Sequence, residues 1–553
     1  MRAQTLRTYK TVHTWVGIVS GMALFIAFYA GALTIFKEPL ARWVSPPQAG
    51  SVQDVPLEQV PSLIAQTLAA HPQAAKDFRV HLQPGEHLPA RLTWQERVSG
   101  TPQDDHHEGD VRHYAASLDA QGRARVEEVH PSGVAKLIDN LHRVVGLPAD
   151  TDPNRWVMGV VAALYGLALV SGVVVLLPTL VKDFFALRLG RNLKRMWLDA
   201  HNVVGIISLP FHVVMALTAA VFAFHDGIYA SQDKLVHDGT LAAMWRAGAA
   251  RPTATGPRDP AAMLPPAELL QRLKAVAPAF EPRTLQYTRV TSPQASVRVW
   301  GTDATGIARS VNGGFASLDP YSGRISETTY LPGHQGAAAA TLTSFFTLHF
   351  GSYGGAPVAW AYFLMGLAGA FLFYSGNLLW IESRRKTAGK HGPVPEQKRN
   401  TAWMAAATVG VCLGCIAGLS ATVVVGKWLR GLVDDLDAWH MGVYYAVFLG
   451  SIGWAFVRGA ARASVHLLGL AAAATAAIPL TSLLGWLVPA TGWWAHASGP
   501  ALGVDAVAAV GALCYAWMAR ATARRVARGR TDSVWSARAP QAEVPSAAAA
   551  EAA

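Results

Sequence analysis

Cysteine and charged residues are both scarce in this chain. Only 3 of its 553 residues are cysteine, and 15% are charged against 51% hydrophobic. Three cysteines cannot supply the four thiolates of an iron–sulfur cluster. A chain this long and this apolar does not fit one soluble domain. We therefore expect a membrane protein.

Motifs for nucleotide cofactors are also missing. The sequence contains no Gly-x-Gly-x-x-Gly fingerprint and no phosphate-binding loop, so it predicts no flavin or nicotinamide site. Cys412-Leu-Gly-Cys415 is followed by Ile416, whereas covalent haem attachment needs a histidine there. Because the two cysteines lie inside an apolar run, we interpret them as small apolar residues.

Apolar runs long enough to cross the bilayer predict a mainly α-helical protein with eight transmembrane helices. They cover about 14–36, 156–181, 202–224, 358–381, 402–426, 438–457, 464–488 and 500–519. The first run is longer than a signal-peptide core, which favours an uncleaved anchor.

Basic residues predict the orientation of these spans. They cluster before the first span, in the second-to-third and sixth-to-seventh loops, and after the fourth and eighth spans, for example Lys10, Arg195, Arg385, Arg458 and Arg525. Loops with excess lysine and arginine stay in the cytoplasm, so both termini should be cytoplasmic. The net charge of +11 then reflects topology in a lipid bilayer and needs no nucleic-acid partner.

Two long polar stretches interrupt the spans on the outer side, and in each a helical pattern precedes strand-like alternation. Strands are predicted at 78–82 and 296–300, with turns at 118–122 and 317–323. We thus predict a duplicated unit of span, outer α+β domain and span. The predicted segments are 1–39 (first span), 40–140 (first outer domain), 141–197 (second span and cytoplasmic loop), 198–225 (third span), 226–344 (second outer domain), 345–400 (interfacial helix, fourth span and loop), 401–522 (four more spans) and 523–553 (a disordered tail).

Histidines recur with the duplication. His13-Thr-Trp-Val-Gly-Ile-Val-Ser20 returns as His201-Asn-Val-Val-Gly-Ile-Ile-Ser208, and Leu141-His142 has its counterpart in Leu348-His349. Ionisable residues in spans are functional candidates, and four symmetry-placed imidazoles match the axial ligands of two six-coordinate haems. We predict two non-covalent b-type haems, one held by His13 and His201 and the other by His142 and His349.

His212 competes with this pairing. It lies 11 residues after His201, nearly three helical turns, so both side chains should face the same way. It could ligate the outer haem, serve a third haem or make a hydrogen bond. The first repeat has Leu24 at the equivalent position, which breaks the symmetry.

The repeated histidine motifs and the outer domains resemble the PepSY-associated transmembrane proteins, in particular the inner-membrane siderophore reductases of Gram-negative bacteria. The resemblance covers about 1–390. It implies a PepSY-like fold for both outer domains, a location in the bacterial inner membrane, and a haem-dependent reductase that releases Fe(II) from periplasmic ferric siderophore. The electron donor would be a membrane quinol or a cytoplasmic reductase.

Weaker signals remain open. Tyr287, Arg289, Arg298 and Trp300 could dock the substrate, although an ordinary strand face explains them equally well. Asp104-Asp-His-His-Glu108, with His113, has metal-binding chemistry but reads as a solvated loop. The rival to a reductase is a non-enzymatic membrane protein that binds a peptide or protease outside, or a transport accessory subunit. Such an anchor has no use for paired imidazoles.

Overall fold

The computed structural model describes residues 3–47, 55–82, 88, 90–97, 111–183, 188, 192–248, 255–304, 306–310, 313–388 and 394–537. These residues are mostly helical. Their α-helices are α1 (Ala3–Thr34), α2 (Lys37–Val44), α3 (Val60–Ala70), α4 (Val134–Arg143), α5 (Asp152–Leu176), α6 (Leu180–Asp183), α7 (Leu193–Ile207), α8 (Leu209–Ala223), α9 (His225–Leu235), α10 (Leu241–Gly248), α11 (Pro266–Val276), α12 (Ala337–Phe350), α13 (Gly355–Ser383), α14 (Arg399–Trp428), α15 (Leu436–Leu487) and α16 (Gly499–Arg528).

Six helices in the described part are long and apolar enough to cross a membrane: α1, α5 extended to Thr179, α13, α14, α15 and α16. α7 and α8 meet the same test together, as a pair bent by 71°. Pro210 lies in the first turn of α8 and has no N–H to continue the hydrogen bonding of α7. The chain is therefore a multi-pass membrane protein with six such helices, or seven if the bent pair is one span.

The 52-residue helix α15 accounts for the difference from eight predicted spans. A straight helix of this length would measure about 78 Å, more than twice the hydrocarbon core of a bilayer. Gly459 has φ 72° and ψ 154° and breaks the helix, so the predicted sixth and seventh spans fall on its two parts. The count of eight remains a prediction.

The strands form one eight-stranded antiparallel sheet rather than two separate ones. They are β1 (Asp77–His81), β2 (Leu92–Arg97), β3 (Val111–Leu118), β4 (Ala124–Val129), β5 (Glu281–Thr288), β6 (Ser296–Thr302), β7 (Gly314–Leu318) and β8 (Ile325–Glu327). Their order is β4-β3-β2-β1-β5-β6-β7-β8. Each predicted outer domain contributes four strands, and the two halves join where β1 pairs with β5.

The core of the sheet lies on one face, under α3 and α11. Phe78 of β1 and Tyr287 of β5 are cross-strand partners, and their rings stack with centroids 4.7 Å apart. Leu63 of α3 and Leu269 of α11 belong to the same buried cluster. A helix precedes the first strand in both halves, as the sequence predicts.

The chain divides into two compact units. One unit comprises Met1–Tyr29, Leu167–Ile207 and Ala368–Ala553, and the other comprises Ala30–Gly166 and Ser208–Leu367. The second unit contains the sheet. In the first, α14 packs closely on α15 through Gly410, Gly414 and Gly418, where an added Cβ would lie 2.7, 2.8 and 3.1 Å from atoms of α15. Glycines at every fourth residue allow such close approach of membrane helices.

The first part of the segment predicted to be a disordered tail is structured. Helix α16 continues to Arg528, and Asp532 is buried in an ion pair with Arg385. The indole N–H of Trp535 donates to Glu382 at 2.8 Å. Residues 523–537 thus pack on the end of α13, while 538–553 lie outside the described residues.

Candidate functional site

His13 of α1 and His201 of α7 face each other, with ring centroids 6.3 Å apart. Nδ1 of His13 lies 2.8 Å from the carbonyl oxygen of Ala168, which can only accept a hydrogen bond. Nδ1 of His201 lies 3.1 Å from Oγ of Ser375, whose own proton goes to the carbonyl of Leu372. Both Nδ1 atoms therefore donate, which leaves the lone pair of each ring on Nε2.

Duplicated Ser-Gly pairs lie behind these two rings. An added Cβ at Gly172, after Ser171, would lie 2.9 Å from Cε1 of His13. The same atom at Gly376, after Ser375, would lie 3.5 Å from Cε1 of His201. Neither glycine is among the residues predicted from the sequence. The recurrence of Ser-Gly in the second and fourth spans was the signal that could have found them.

Each histidine of this pair is followed on its own helix by a glycine. Gly17 and Gly205 each follow a histidine of the pair by four residues, one helical turn. An added Cβ at Gly17 would meet no described atom within 4 Å, and one at Gly205 would meet only Leu372, at 3.5 Å. A side chain at either position would therefore meet little resistance from the described residues.

His142 of α4 and His349 of α12 form the second pair, with ring centroids 6.1 Å apart. Nδ1 of His349 lies 2.8 Å from Oγ1 of Thr218, which donates its own proton to the carbonyl of Val214. Nδ1 of His349 therefore donates, and the lone pair of the ring lies on Nε2, as in His201. An added Cβ at Gly31 would lie 2.7 Å from Nδ1 of His142, so only glycine leaves room for that ring.

Both ring spacings fit two imidazoles on one metal ion. Ligands on opposite sides of a metal, each bonded through nitrogen at about 2.0 Å, have ring centroids roughly 6.3 Å apart. Burial lowers the pKa of His349, and repulsion from His142 acts in the same direction, which favours the neutral, metal-binding form. No group of three or more His, Cys, Asp or Glu among the described residues could hold a metal ion. Each pair therefore brings two imidazoles together, with no third residue of these types grouped with them among the described residues.

His212 belongs to neither pair. It is fully buried just after the bend between α7 and α8, and its Nδ1 is hydrogen-bonded to the hydroxyl of Tyr165. That hydroxyl also lies 3.1 Å from the carbonyl oxygen of His212. The ring contacts Tyr165 and Phe211. The prediction that His212 and His201 face the same way assumed one continuous helix, whereas α7 ends at Ile207 and α8 begins at Leu209.

The other sequence signals do not form a site in the described residues. Asp104–Glu108 lie outside them, and Nδ1 of His113 lies 3.3 Å from the amide of Gln95. Cys412 and Cys415 are buried free cysteines within α14.

The suggested docking residues separate in the structure. Tyr287 is buried in the sheet core and cannot touch a substrate, while Arg289 is exposed in the turn after β5. Arg298 and Trp300 share the opposite face of the sheet. There the indole of Trp300 donates to Gln286 at 3.1 Å, and the Arg298 guanidinium lies 5.1 Å from the centre of the Phe315 ring.

The fold and the site together define a multi-pass helical membrane protein with one antiparallel sheet domain and two facing histidine pairs. The chain belongs to the family described as PepSY-associated TM region, whose model matches residues 10–383. The match includes all four paired histidines and all eight strands, and it ends before α14. No curated protein matches the chain at a significant level.

Proposed function

We propose that the chain is a di-haem electron-transfer protein of the bacterial inner membrane that reduces ferric siderophore on the periplasmic side. The observation that carries the proposal is the spacing of the two histidine pairs, 6.3 and 6.1 Å between ring centroids. Ring contacts near 6 Å also occur elsewhere in the chain, so the spacing supports the proposal only together with the duplication, which places a histidine at each of the four positions.

Each side chain at the site has a defined task. Nε2 of His13, His201, His142 and His349 would bind iron, and the Nδ1 hydrogen bonds of the first, second and fourth fix ring orientation and tautomer. Haem iron, when bound, supplies reversible one-electron chemistry without exchange of its ligands. The protein contributes a dry surrounding and fixed ligands, which tune the potential at which an electron is accepted.

The reaction suits a one-electron carrier. Fe(III) is a hard ion that oxygen-rich chelators hold tightly, and one electron converts it to Fe(II), which they hold far more weakly. The siderophore is released intact. Electrons would come from a membrane quinol or a cytoplasmic reductase, because the sequence has no nucleotide-binding motif of its own.

The test uses the purified full chain, reduced chemically under anaerobic conditions. Ferric siderophore should reoxidise it, and a ferrous chelator such as ferrozine should trap one Fe(II) per electron delivered. If ferric siderophores leave the reduced spectrum unchanged while other acceptors oxidise it, the siderophore assignment fails and only a general electron-transfer role survives.

A further inference from the structure

Arg309 lies in the β6–β7 connection, and this connection is attached to the helix that carries His349. The hydroxyl of Thr347 in α12 donates to the carbonyl of Ala308 at 2.7 Å, and the hydroxyl of Ser352 donates to the same oxygen at 3.1 Å. Two hydrogen bonds to the residue just before Arg309 fix where its backbone lies. The backbone of Arg309 is thereby held beside α12.

Aromatic rings hold the guanidinium itself. Its carbon lies 4.3 Å from the ring centre of Phe346 and 5.1 Å from that of Tyr330. Phe346 and His349 are three residues apart on α12, so their side chains are neighbours on one face. Phe222 contacts both of their rings, at 4.8 and 5.0 Å. The guanidinium thus contacts Phe346, whose ring contacts Phe222, and Phe222 in turn contacts His349 of the second pair.

Arg309 has no carboxylate partner among the described residues. No described residue forms an ion pair or hydrogen bond with its side chain, although Arg309 is half-buried. The arginines near His142 differ: Arg143 and Arg155 both bind Asp150, at 2.8 and 2.7 Å. A guanidinium that is oriented by stacking and lacks a carboxylate keeps its planar set of donors for a ligand.

We propose that Arg309 is an anion-binding residue that receives a carboxylate beside the His142–His349 pair. Two sources share this chemistry: a carboxylate side chain of a haem held by the pair, or an acidic oxygen group of an incoming ferric chelate. The first of these sources rests on the proposed function, because it requires that the pair holds a haem. An arginine that serves only to stack the loop onto α12 would bind neither.

The experiment compares Arg309→Gln, which removes the charge, and Arg309→Lys, which keeps the charge and loses the planar fork. Arg324→Gln is the matched control, because Arg324 is exposed in the β7–β8 turn at the other end of β7. Three quantities are measured on the full chain. They are the reduction potential of each haem, the rate of haem transfer to an acceptor protein, and the KM for Fe(III)–citrate, an anion, against Fe(III)–desferrioxamine B, a cation.

The two sources give different results. If the carboxylate belongs to the chelate, Arg309→Gln raises the KM for Fe(III)–citrate about tenfold or more and leaves the cationic chelate and both potentials unchanged. If it belongs to the haem, the same change lowers one potential, speeds loss of that haem and affects both chelates alike. Arg309→Lys should recover part of either effect.

The proposal is overturned if Arg309→Gln matches Arg324→Gln in potentials, haem retention and both KM values. A colourless wild-type protein would instead refute the proposed function alone. Calorimetric titration of that protein with citrate then decides the matter, because an anion site requires binding that Arg309→Gln abolishes, and no binding would refute this inference too.

Discussion

The His13–His201 pair and the His142–His349 pair share a ring spacing and differ in what holds the rings. The first pair lies on α1 and α7 and is supported from behind by the Ser-Gly segments of α5 and α13. The second lies on the short helices α4 and α12, which directly follow the last strand of each half of the sheet. Membrane helix packing sets the first pair, whereas the sheet domain takes part in setting the second.

This difference indicates how one duplicated motif yields two unequal sites. A span helix fixes its histidine through close packing, and glycine makes the necessary room. A short helix outside the spans has too few turns to be stable alone, so it depends on the domain that precedes it. We therefore expect the two haems to respond independently to substitutions chosen for one support or the other.

Removal of a ligand should have the largest effect. His13→Ala or His201→Ala should abolish one haem and leave the other, and His142→Ala or His349→Ala should do the reverse, since low-spin binding needs both axial bonds. Haem content and the low-spin spectrum measure this. His212→Ala is the control and should retain both haems. If His212→Ala loses the second haem while His142→Ala or His349→Ala keeps it, the pairing of His142 with His349 is wrong.

Filling the space behind a ring should come next. Gly172→Val places a Cβ 2.9 Å from the imidazole of His13, so the ring must move and most of that haem should be lost. Gly31→Val should act in the same way on the haem of His142. Gly166→Val is the matched control on α5, where an added Cβ meets no described atom within 4 Å. Equal haem loss in Gly166→Val and Gly172→Val would show that valine merely disturbs the helix.

The central stack of the sheet should matter to one pair only. Tyr287→Ala deletes a buried ring that joins the two halves and should destabilise the sheet by about 3–5 kcal/mol. Haem at His142–His349 should then be lost at lower temperature, while haem at His13–His201 is retained. Tyr287→Phe should be nearly neutral, because the buried hydroxyl has no hydrogen-bond partner among the described residues. Parallel melting of both haems in Tyr287→Ala would contradict separate support.

The smallest effect is expected from the hydrogen bonds to Nδ1. Thr218→Val removes the acceptor for His349 and should weaken binding of that haem about tenfold, the lower range for loss of such an orienting partner. Ser375→Ala should weaken the other haem similarly, through His201. Rates of haem transfer to an acceptor protein give both affinities. If Thr218→Val changes neither haem, Thr218 does not orient His349.

The sequence predicted the histidine pairs because the duplication is visible in it, and it located the strands at 78–82 and 296–300 and the turns that close two hairpins. It could not predict that β1 pairs with β5, since that pairing joins residues about 200 positions apart and nothing local specifies it. The sequence suggested Tyr287 as a docking residue, whereas it is buried. Alternation along a strand shows which residues share a face of the sheet, but not which face is covered.

Other features were out of reach for different reasons. The break before His212 coincides with Pro210, but a proline in the sequence does not show how far the helix bends there. Gly172 and Gly376 carry no chemistry of their own, so their role emerges only when the rings they accommodate are in place. The segment after α16 is held by the ion pair of Asp532 with Arg385, which is distant in sequence.

The most direct test of the account is the number of haems in the purified full chain, measured by acid-acetone extraction and the pyridine haemochrome spectrum. The account predicts two non-covalent b-type haems per chain, both low-spin and six-coordinate, falling to one when either member of one histidine pair becomes alanine. A colourless protein from haem-replete cells, or haem that stays bound covalently after extraction, would contradict it.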